Sequence, residues 1–491
     1  MGGTCVAPHS LLGGALKLQA NKMKSAHAVH SRLVAALEQG EIWSALLVIR
    51  EALADPYPLG EGWTRVLQVA GTLGDEFGAV QVASRLRNET KPTPETAFTL
   101  AAAFVQCGLA EEAAQTLAPL HGAGELSDEL LFKYSRMLML AGRGEQALAI
   151  VRALQQRHPG NVALWVRLAE LRTFEGRDTD FESMQSVLSR LPADRAGDRS
   201  SLLWALSKAV VDFRDDSAAN TFLVERNTME AGRRAFDREA FSAAFDDIVD
   251  WCERAPNETT PSSLPDSERA IFVLGPPRSG TTLVDQILSQ HSLVKGGGEI
   301  RHFWLATRQL GSYSSTDVSE YADAIALERP GFDAWAHMGR RYLALADERF
   351  GTACRFSDKL LSNVFRVRAI MKCLPAARIL WIDRDPLDVA WSCWRGNFGD
   401  EIAAWSVAAD RIAFFLSNYR RAMEAWSRRY PQSIYRVSYE ELVSQPQTAV
   451  PALLAHCGLA DEPATRRPEL SRRTAITLSH SQVRQPINAG S

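Results

Sequence analysis

Ile271-Phe-Val-Leu-Gly-Pro-Pro-Arg-Ser-Gly-Thr-Thr-Leu283 joins an apolar run, a turn rich in glycine and proline, and the start of a second apolar pattern. Ile271 to Leu274 predicts a short buried strand of a parallel sheet. Gly275 to Gly280 predicts a tight turn. Thr281 to Ser289 predicts a helix with Leu283, Ile287 and Leu288 on its apolar side. A strand, a glycine turn and a helix in that order aim backbone N–H groups and the positive helix end at an anion. The spacing from Gly275 to Gly280-Thr281-Thr282 nearly reproduces the nucleotide loop G-x-x-x-x-G-K-[ST]. Thr281 stands where that loop has its lysine, the group that reaches the β- and γ-phosphates, so a kinase or ATPase is disfavoured. The basic group comes earlier, at Arg278. A tight turn with no ligand is the plain structural alternative.

Upstream of this stretch, Ala255-Pro-Asn-Glu-Thr-Thr-Pro-Ser-Ser-Leu-Pro265 has linker composition and marks a domain boundary. Before it, Gly40, Gly74, Gly108, Gly142 and Gly176 recur every 34 residues. Ala45, Ala79, Ala113 and Ala147 follow the first four at a fixed offset, and Phe181 takes that place in the fifth. Trp63 and Trp165 precede two of the glycines at one offset, and Pro159 closes a unit. Glycine suits a sharp turn after a first helix, and alanine lets a second helix pack closely. Leu130 to Leu140 carries apolar residues at helical spacing. One such unit cannot bury its apolar faces, so the units are expected to stack. Over roughly 24–195 the chain resembles the tetratricopeptide-repeat family, whose unit has this length; the resemblance implies a peptide- or protein-binding surface. Residues 196–253 also read as helical, with Phe222-Leu-Val, Ala235-Phe and Ala240-Phe expected against the last repeat.

Downstream, Arg378-Ile-Leu-Trp-Ile382 predicts a second strand, followed by Asp383-Arg384-Asp385-Pro386 and a helix from Leu387 that carries Ser392. Proline suits a first helical turn. Arg384 and Ser392 are placed to meet on one phosphate; an exposed ion pair of Arg384 with Asp383 or Asp385 is the alternative. Lys295-Gly-Gly-Gly-Glu-Ile-Arg301 puts Glu299 after three glycines that let backbone pass close to a ligand. Ser357-Asp-Lys-Leu-Leu-Ser-Asn363 presents Lys359, and Val437-Ser-Tyr-Glu-Glu-Leu442 presents Tyr439.

With these motifs, roughly 268–488 resembles the sulfotransferase family, in particular its tyrosylprotein branch. The resemblance implies that Arg278, Ser279, Gly280, Thr281, Thr282 and Leu283 hold the 5′ end of 3′-phosphoadenosine-5′-phosphosulfate. Arg384 and Ser392 would hold its 3′-phosphate, and Tyr439 would line the adenosine pocket. Glu299 would be the base, with His291 and His302 as fallbacks. Lys359 would meet the leaving bridge oxygen and Arg278 the sulfuryl oxygens. Ser479-His-Ser-Gln-Val-Arg-Gln-Pro-Ile-Asn488 resembles a family segment that folds over the nucleotide, implying roles for Ser479 and Arg484. Gln485 stands where the branch has lysine. The family continues into a basic-Trp element, whereas this sequence ends at Ser491, which bears on how tightly the donor is held.

Among the 491 residues, 55 Lys and Arg against 58 Asp and Glu give a net charge of −3, not the balance of a nucleic-acid binder. The seven cysteines include no C-x-x-C, so a disulfide framework or zinc site is not expected. No apolar run is long enough to span a membrane, and Met1 to Ala20 makes a poor signal peptide, so a cytoplasmic location is expected. The expected architecture is an all-α repeat solenoid followed by a three-layer α/β domain with a parallel sheet: a tail over 1–23, repeats over 24–215, connecting helices and linker over 216–267, and the sulfotransferase domain over 268–491. The expected activity is sulfuryl transfer to a hydroxyl, of a peptide tyrosine by the branch resembled, with no metal. The alternatives are a carbohydrate or small-molecule acceptor, a repeat-based scaffold with an inactive second domain, and, least, a nucleotide kinase.

Overall fold

The computed structural model describes residues 25–91, 93–254, 264–307, 332–398 and 401–468. Helices pair in the first half: α1 (Ala26–Glu38) with α2 (Ile42–Ala54), α3 (Trp63–Leu73) with α4 (Glu76–Glu89), α5 (Pro94–Gln106) with α6 (Ala110–Gly122), and α7 (Asp128–Leu140) with α8 (Gly144–Arg157). Gly40, Gly74, Gly108 and Gly142 all adopt left-handed backbone, with φ of 74–78°. After each glycine the next N–H reaches back over the turn, from Glu41 to the Ala36 carbonyl, Asp75 to Ala70, Leu109 to Phe104 and Arg143 to Leu138. This closure satisfies carbonyls that the helix end would otherwise leave bare. Ala45, Ala79, Ala113 and Ala147 are all fully buried, so each turn is followed by close helix packing.

The regularity stops at Gly176, which lacks the left-handed conformation. There α9 (Val162–Leu171) and α10 (Thr179–Arg190) are joined by an open connection, with Phe181 filling the alanine position in the core. A longer hairpin follows, α11 (Ala196–Asp212) and α12 (Asp216–Arg233), turning at Arg214. Leu223 is buried in this region, but Phe236 and Phe241 do not pack where the sequence reading put them. Phe236, two residues before the helix α13 (Arg238–Arg254), lies against Phe414 of the second domain, and Phe241 on α13 lies against Phe414 and Phe415. Apolar spacing alone carries no information about which neighbour covers a face.

The second half alternates β1 (Ala270–Leu274), α14 (Thr281–Ser289), β2 (Val294–Lys295), α15 (His302–Thr307), α16 (Ala334–Phe350), β3 (Arg355–Asp358), α17 (Val367–Cys373), β4 (Arg378–Asp383), α18 (Pro386–Trp394), α19 (Ala409–Arg429), β5 (Ile434–Ser438), α20 (Tyr439–Ser444) and α21 (Pro446–His456). The sheet order is β2-β3-β1-β4-β5 and every pairing is parallel, with Ala270 opposite Phe356 and Ile271 opposite Arg378. Successive β1 residues face opposite sides: Phe272 and Leu274 join a core with Tyr342, Ile370 and Trp426, while Ile271 and Val273 join Ile287, Leu442 and Leu453. Both faces of the sheet are therefore covered, giving the three layers expected of a parallel sheet.

The two halves share a core and an ion-pair cluster. Leu305 and Leu345 pack among the repeat residues. Arg50 of α2 bonds both oxygens of Asp75 at 2.7 Å and both of Glu348 on α16 at 2.9 and 2.7 Å. Further along, Trp204, Asn227 and Arg226 of the α11–α12 hairpin donate to the Arg395, Trp394 and Gly396 carbonyls, at the C-terminal end of α18.

Candidate active site

After β1 the chain crosses to one side of the sheet, and after β3 it crosses to the other, so the C-terminal ends of β1 and β4 flank the point where the order reverses. Such a point leaves a crevice for a ligand. The turn after β1 and the residues after β4 both open there. Arg278 takes a φ of 71°, a left-handed conformation that a side-chain-bearing residue adopts at a cost of roughly 1–3 kcal/mol. Gly280 follows at φ 105°, and a Cβ there would lie 2.4 Å from the Tyr439 ring. The loop thus folds tightly against α20 and directs its backbone toward the crevice at the N-terminus of α14.

Arg278 donates from Nε to Ser392 Oγ at 2.9 Å. Arg384 bonds the Arg278 carbonyl at 3.4 Å, pairs with Asp388 at 3.2 Å and lies 4.2 Å from the Tyr439 ring centroid. Cys393 Sγ reaches the Pro277 carbonyl at 3.6 Å, tying α18 to the loop. The structure therefore brings Arg278, Arg384, Ser392 and Tyr439 together across more than a hundred residues of sequence. The expected alternative partners of Arg384 are otherwise engaged: Asp383 pairs with Arg420 and Arg436, and Asp385 caps α18. Burial pulls the Arg278 guanidinium below its ordinary pKa, and repulsion from Arg395 and Arg384 acts in the same direction. Converging cations of this kind are relieved by an anion.

An anionic ligand fits these residues. Ser279 Oγ and Arg384 Nε are buried with no hydrogen-bond partner among the described residues, a costly state that anionic oxygens would end. Thr281 and Thr282 begin α14 and are buried, so their N–H groups lie at the anion end of that helix. The Leu283 side chain packs into the core below the sheet, leaving its backbone for any ligand contact.

The second group of residues comes from the ends of β2 and β3. Gly297 N donates to Ser357 Oγ at 3.0 Å and Lys359 N to the Gly298 carbonyl at 2.7 Å. A Cβ at Gly297 would fall 1.9 Å from the Ser357 carbonyl oxygen, so the glycine run is needed for this approach. It brings Glu299 beside Lys359, Nζ to Oε1 at 2.7 Å; Lys359 is 3% exposed and Glu299 45%. Among the described residues one of the three ammonium donors is used, and the carboxylate remains open to solvent. Both residues line a cavity of about 400 Å³ together with Thr282 of the anion loop.

Beneath Lys359 sits Asp358, which sequence reading passed over. It is fully buried and accepts from Leu360 N at 3.1 Å, Asn363 Nδ2 at 3.0 Å and Tyr342 Oη at 3.2 Å. Burial pushes its carboxyl up to about 7 despite these bonds. No local pattern announces this anchor, because Tyr342 belongs to a helix outside the Asp-Lys motif. The two fallback histidines are structural. His302 is buried near Tyr342 and Phe350, and burial holds it down at about 3, hence neutral. His291 bonds the Ala460 carbonyl at 3.0 Å and accepts from Leu293 N at 3.1 Å. Ser479 and Arg484 lie outside the described residues. Among the described residues, no helix is long and apolar enough to cross a membrane and no three His, Cys, Asp or Glu side chains are grouped as metal ligands would be.

A parallel α/β domain with an anion loop at its switch point and an acid–lysine pair beside it defines the class. Residues 270–463 match the family model described as "Sulfotransferase family". An uncharacterized protein of Aquifex aeolicus (strain VF5) is 28% identical over 359 residues, 72% of this chain and 46% of the relative, so the chain spans about half the length of the curated relative it matches. Among solved structures, the chain is similar to the sulfotransferase domain of the Synechococcus PCC 7002 olefin synthase (16% identity, 48% of this chain and 88% of that one, TM-score 0.33). It is also similar to sulfotransferase STF1 from Mycobacterium tuberculosis H37Rv (15% identity, 63% and 96%, TM-score 0.28).

Proposed function

We propose that this protein moves a sulfuryl group from 3′-phosphoadenosine-5′-phosphosulfate to a hydroxyl, a phenol of the peptide-tyrosine type. We also read the 34-residue hairpins as tetratricopeptide repeats over 24–215, joined through 216–267 to a catalytic domain over 268–491. The observation that carries the activity is the Glu299–Lys359 pair, which lines one cavity with the N-terminus of the anion-loop helix. The donor supplies the sulfuryl group and departs as adenosine 3′,5′-bisphosphate. Arg384 and Ser392 hold the 3′-phosphate; Arg278, Ser279, Gly280, Thr281 and Thr282 hold the other end.

Glu299, partly open to solvent, takes the proton from the acceptor hydroxyl as its oxygen bonds to sulfur. Lys359 offsets charge on the bridge oxygen as its bond to sulfur breaks. The Arg278 guanidinium and the α14 N-terminus face the sulfuryl oxygens. Positioning and electrostatics of this kind supply most of the rate in the related phosphoryl transfer. Ser479 and Arg484 add to the donor side.

The test is transfer of labelled sulfate from the donor with divalent cations chelated, comparing wild type with Glu299→Ala. Turnover should fall on the order of 10²–10⁴-fold, as for loss of a general base. Adenosine 3′,5′-bisphosphate binding should persist. Undiminished turnover in the variant would remove Glu299 from the chemistry. Binding of ATP in place of the bisphosphate would favour a kinase. If donor binds and no acceptor in a host lysate is labelled, the scaffold reading gains.

A further inference from the structure

The cavity beside Glu299 and Lys359 is not built by the catalytic domain alone. Its other wall is made of two repeat turns, Gly74 with Glu76 and Val105 through Glu112. These turns are held in place. A Cβ at Gly74 would lie 2.8 Å from Arg301 Cδ, Arg301 donates to the Thr72 carbonyl at 3.2 Å, and Glu76 pairs with Arg349. At about 400 Å³ the space suits one side chain or a small molecule.

The chemistry of the repeat wall is one-sided. It contributes Glu76, Glu111 and Glu112 and no lysine or arginine. Glu76 and Glu111 are balanced, by Arg349 and Arg143. Glu112 has no ion pair among the described residues. A separate observation points the same way. Gln286, also in the lining, is 4% exposed, and its Oε1 is buried with no hydrogen-bond partner among the described residues. The opposite wall carries Arg301, Arg349 and Lys359, but an unmet acceptor and a carboxylate without an ion pair in one lining favour a ligand rich in N–H donors.

We propose that the repeats form the acceptor-recognition wall of the active site, and that the acceptor carries a cationic group, an ammonium or guanidinium, near the hydroxyl that is sulfated. This rests on the sulfotransferase reading and deepens it. Glu112 is the specificity-determining residue on the repeat side, and Glu299 and Lys359 act on the hydroxyl from the other.

Three para-substituted phenols of similar size, one cationic, one neutral and one anionic, test it: tyramine, 4-ethylphenol and 4-hydroxyphenylacetate. Each is assayed with the full chain and labelled donor, for wild type, Glu112→Gln and Glu112→Lys. Wild type should favour tyramine over 4-hydroxyphenylacetate in kcat/KM by about tenfold or more, the scale of one charge-assisted hydrogen bond. Glu112→Gln should bring the ratio near unity through the KM for tyramine, and Glu112→Lys should invert it. A ratio that stays constant across the three proteins, or a wild type that prefers the carboxylate, overturns the proposal while leaving sulfuryl transfer intact. No transfer to any phenol by wild type, with adenosine 3′,5′-bisphosphate still bound, overturns the underlying activity and this proposal with it.

Discussion

Arg384 touches two parts of the candidate site at once, bonding the carbonyl of Arg278 and stacking on Tyr439, while its buried Nε has no partner among the described residues. Its expected ligand is the 3′-phosphate, which distinguishes adenosine 3′,5′-bisphosphate from adenosine 5′-monophosphate. Arg384→Ala should therefore weaken the bisphosphate by about 10–100-fold, the value of one charged hydrogen-bonding contact. It should leave the weaker monophosphate nearly unchanged, and titration calorimetry with both nucleotides reads the difference. An equal loss for both would mean that Arg384 only braces the loop. At this scale the sequence was informative where the signal is local: Arg278, Gly280 and Thr282 lie in one motif. It was silent on the bond between Arg278 and Ser392, which the switch point creates across 114 positions. It was equally silent on Glu112, whose relation to Glu299 exists only because a repeat turn faces a strand end.

At the scale of elements, the end of β3 carries the clearest titration. Asp358 is buried under Lys359, and burial raises its carboxyl from an ordinary unfolded value of about 4 to about 7. Because the folded pKa is the higher one, the folded state keeps a proton that the unfolded chain releases. The stabilisation is complete below about pH 4 and is lost progressively as pH rises to about 7. Asp358→Asn, which mimics the protonated form, should therefore gain on wild type across that window, by up to about 4 kcal/mol on the full gap. Denaturant unfolding at pH 4, 5.5 and 7 measures this, and a variant that tracks wild type at all three would show that Asp358 ionises freely in the fold. The strands and helices around it were legible: β1 and α14 fall where the apolar run and the glycine turn put them, and Pro386 opens α18. The placement of α13 was not. Its phenylalanines repeat at helical spacing, and that spacing is satisfied equally by a repeat or by α19.

At the scale of the whole molecule, the repeats and the parallel-sheet domain meet through Arg50, 298 positions away in sequence from Glu348 and legible in neither motif. Burial alone would pull Arg50 down, but the Asp75 and Glu348 carboxylates outweigh it and hold the guanidinium above its ordinary range. Side-chain exposure is 7% for Arg50, 2% for Asp75 and 13% for Glu348, so solvent cannot replace a missing member. Arg50→Met leaves two buried carboxylates without their cation and should cost about 3–5 kcal/mol, as breaking buried pairs does. Arg50→Met combined with Asp75→Asn and Glu348→Gln removes the charges together. The asparagine can still cap α4, where Asp75 now accepts from Gly78 N at 3.0 Å. That triple variant should recover most of the loss at pH 7, since buried ionic clusters replaced as a unit are often neutral in stability. If the repeats also form the acceptor wall, Arg50→Met should raise the KM for tyramine more than it changes adenosine 3′,5′-bisphosphate affinity, because Glu76 of that wall lies on α4 next to Asp75 and pairs with Arg349 of α16. Equal losses for acceptor and donor would place Arg50 in general stability alone.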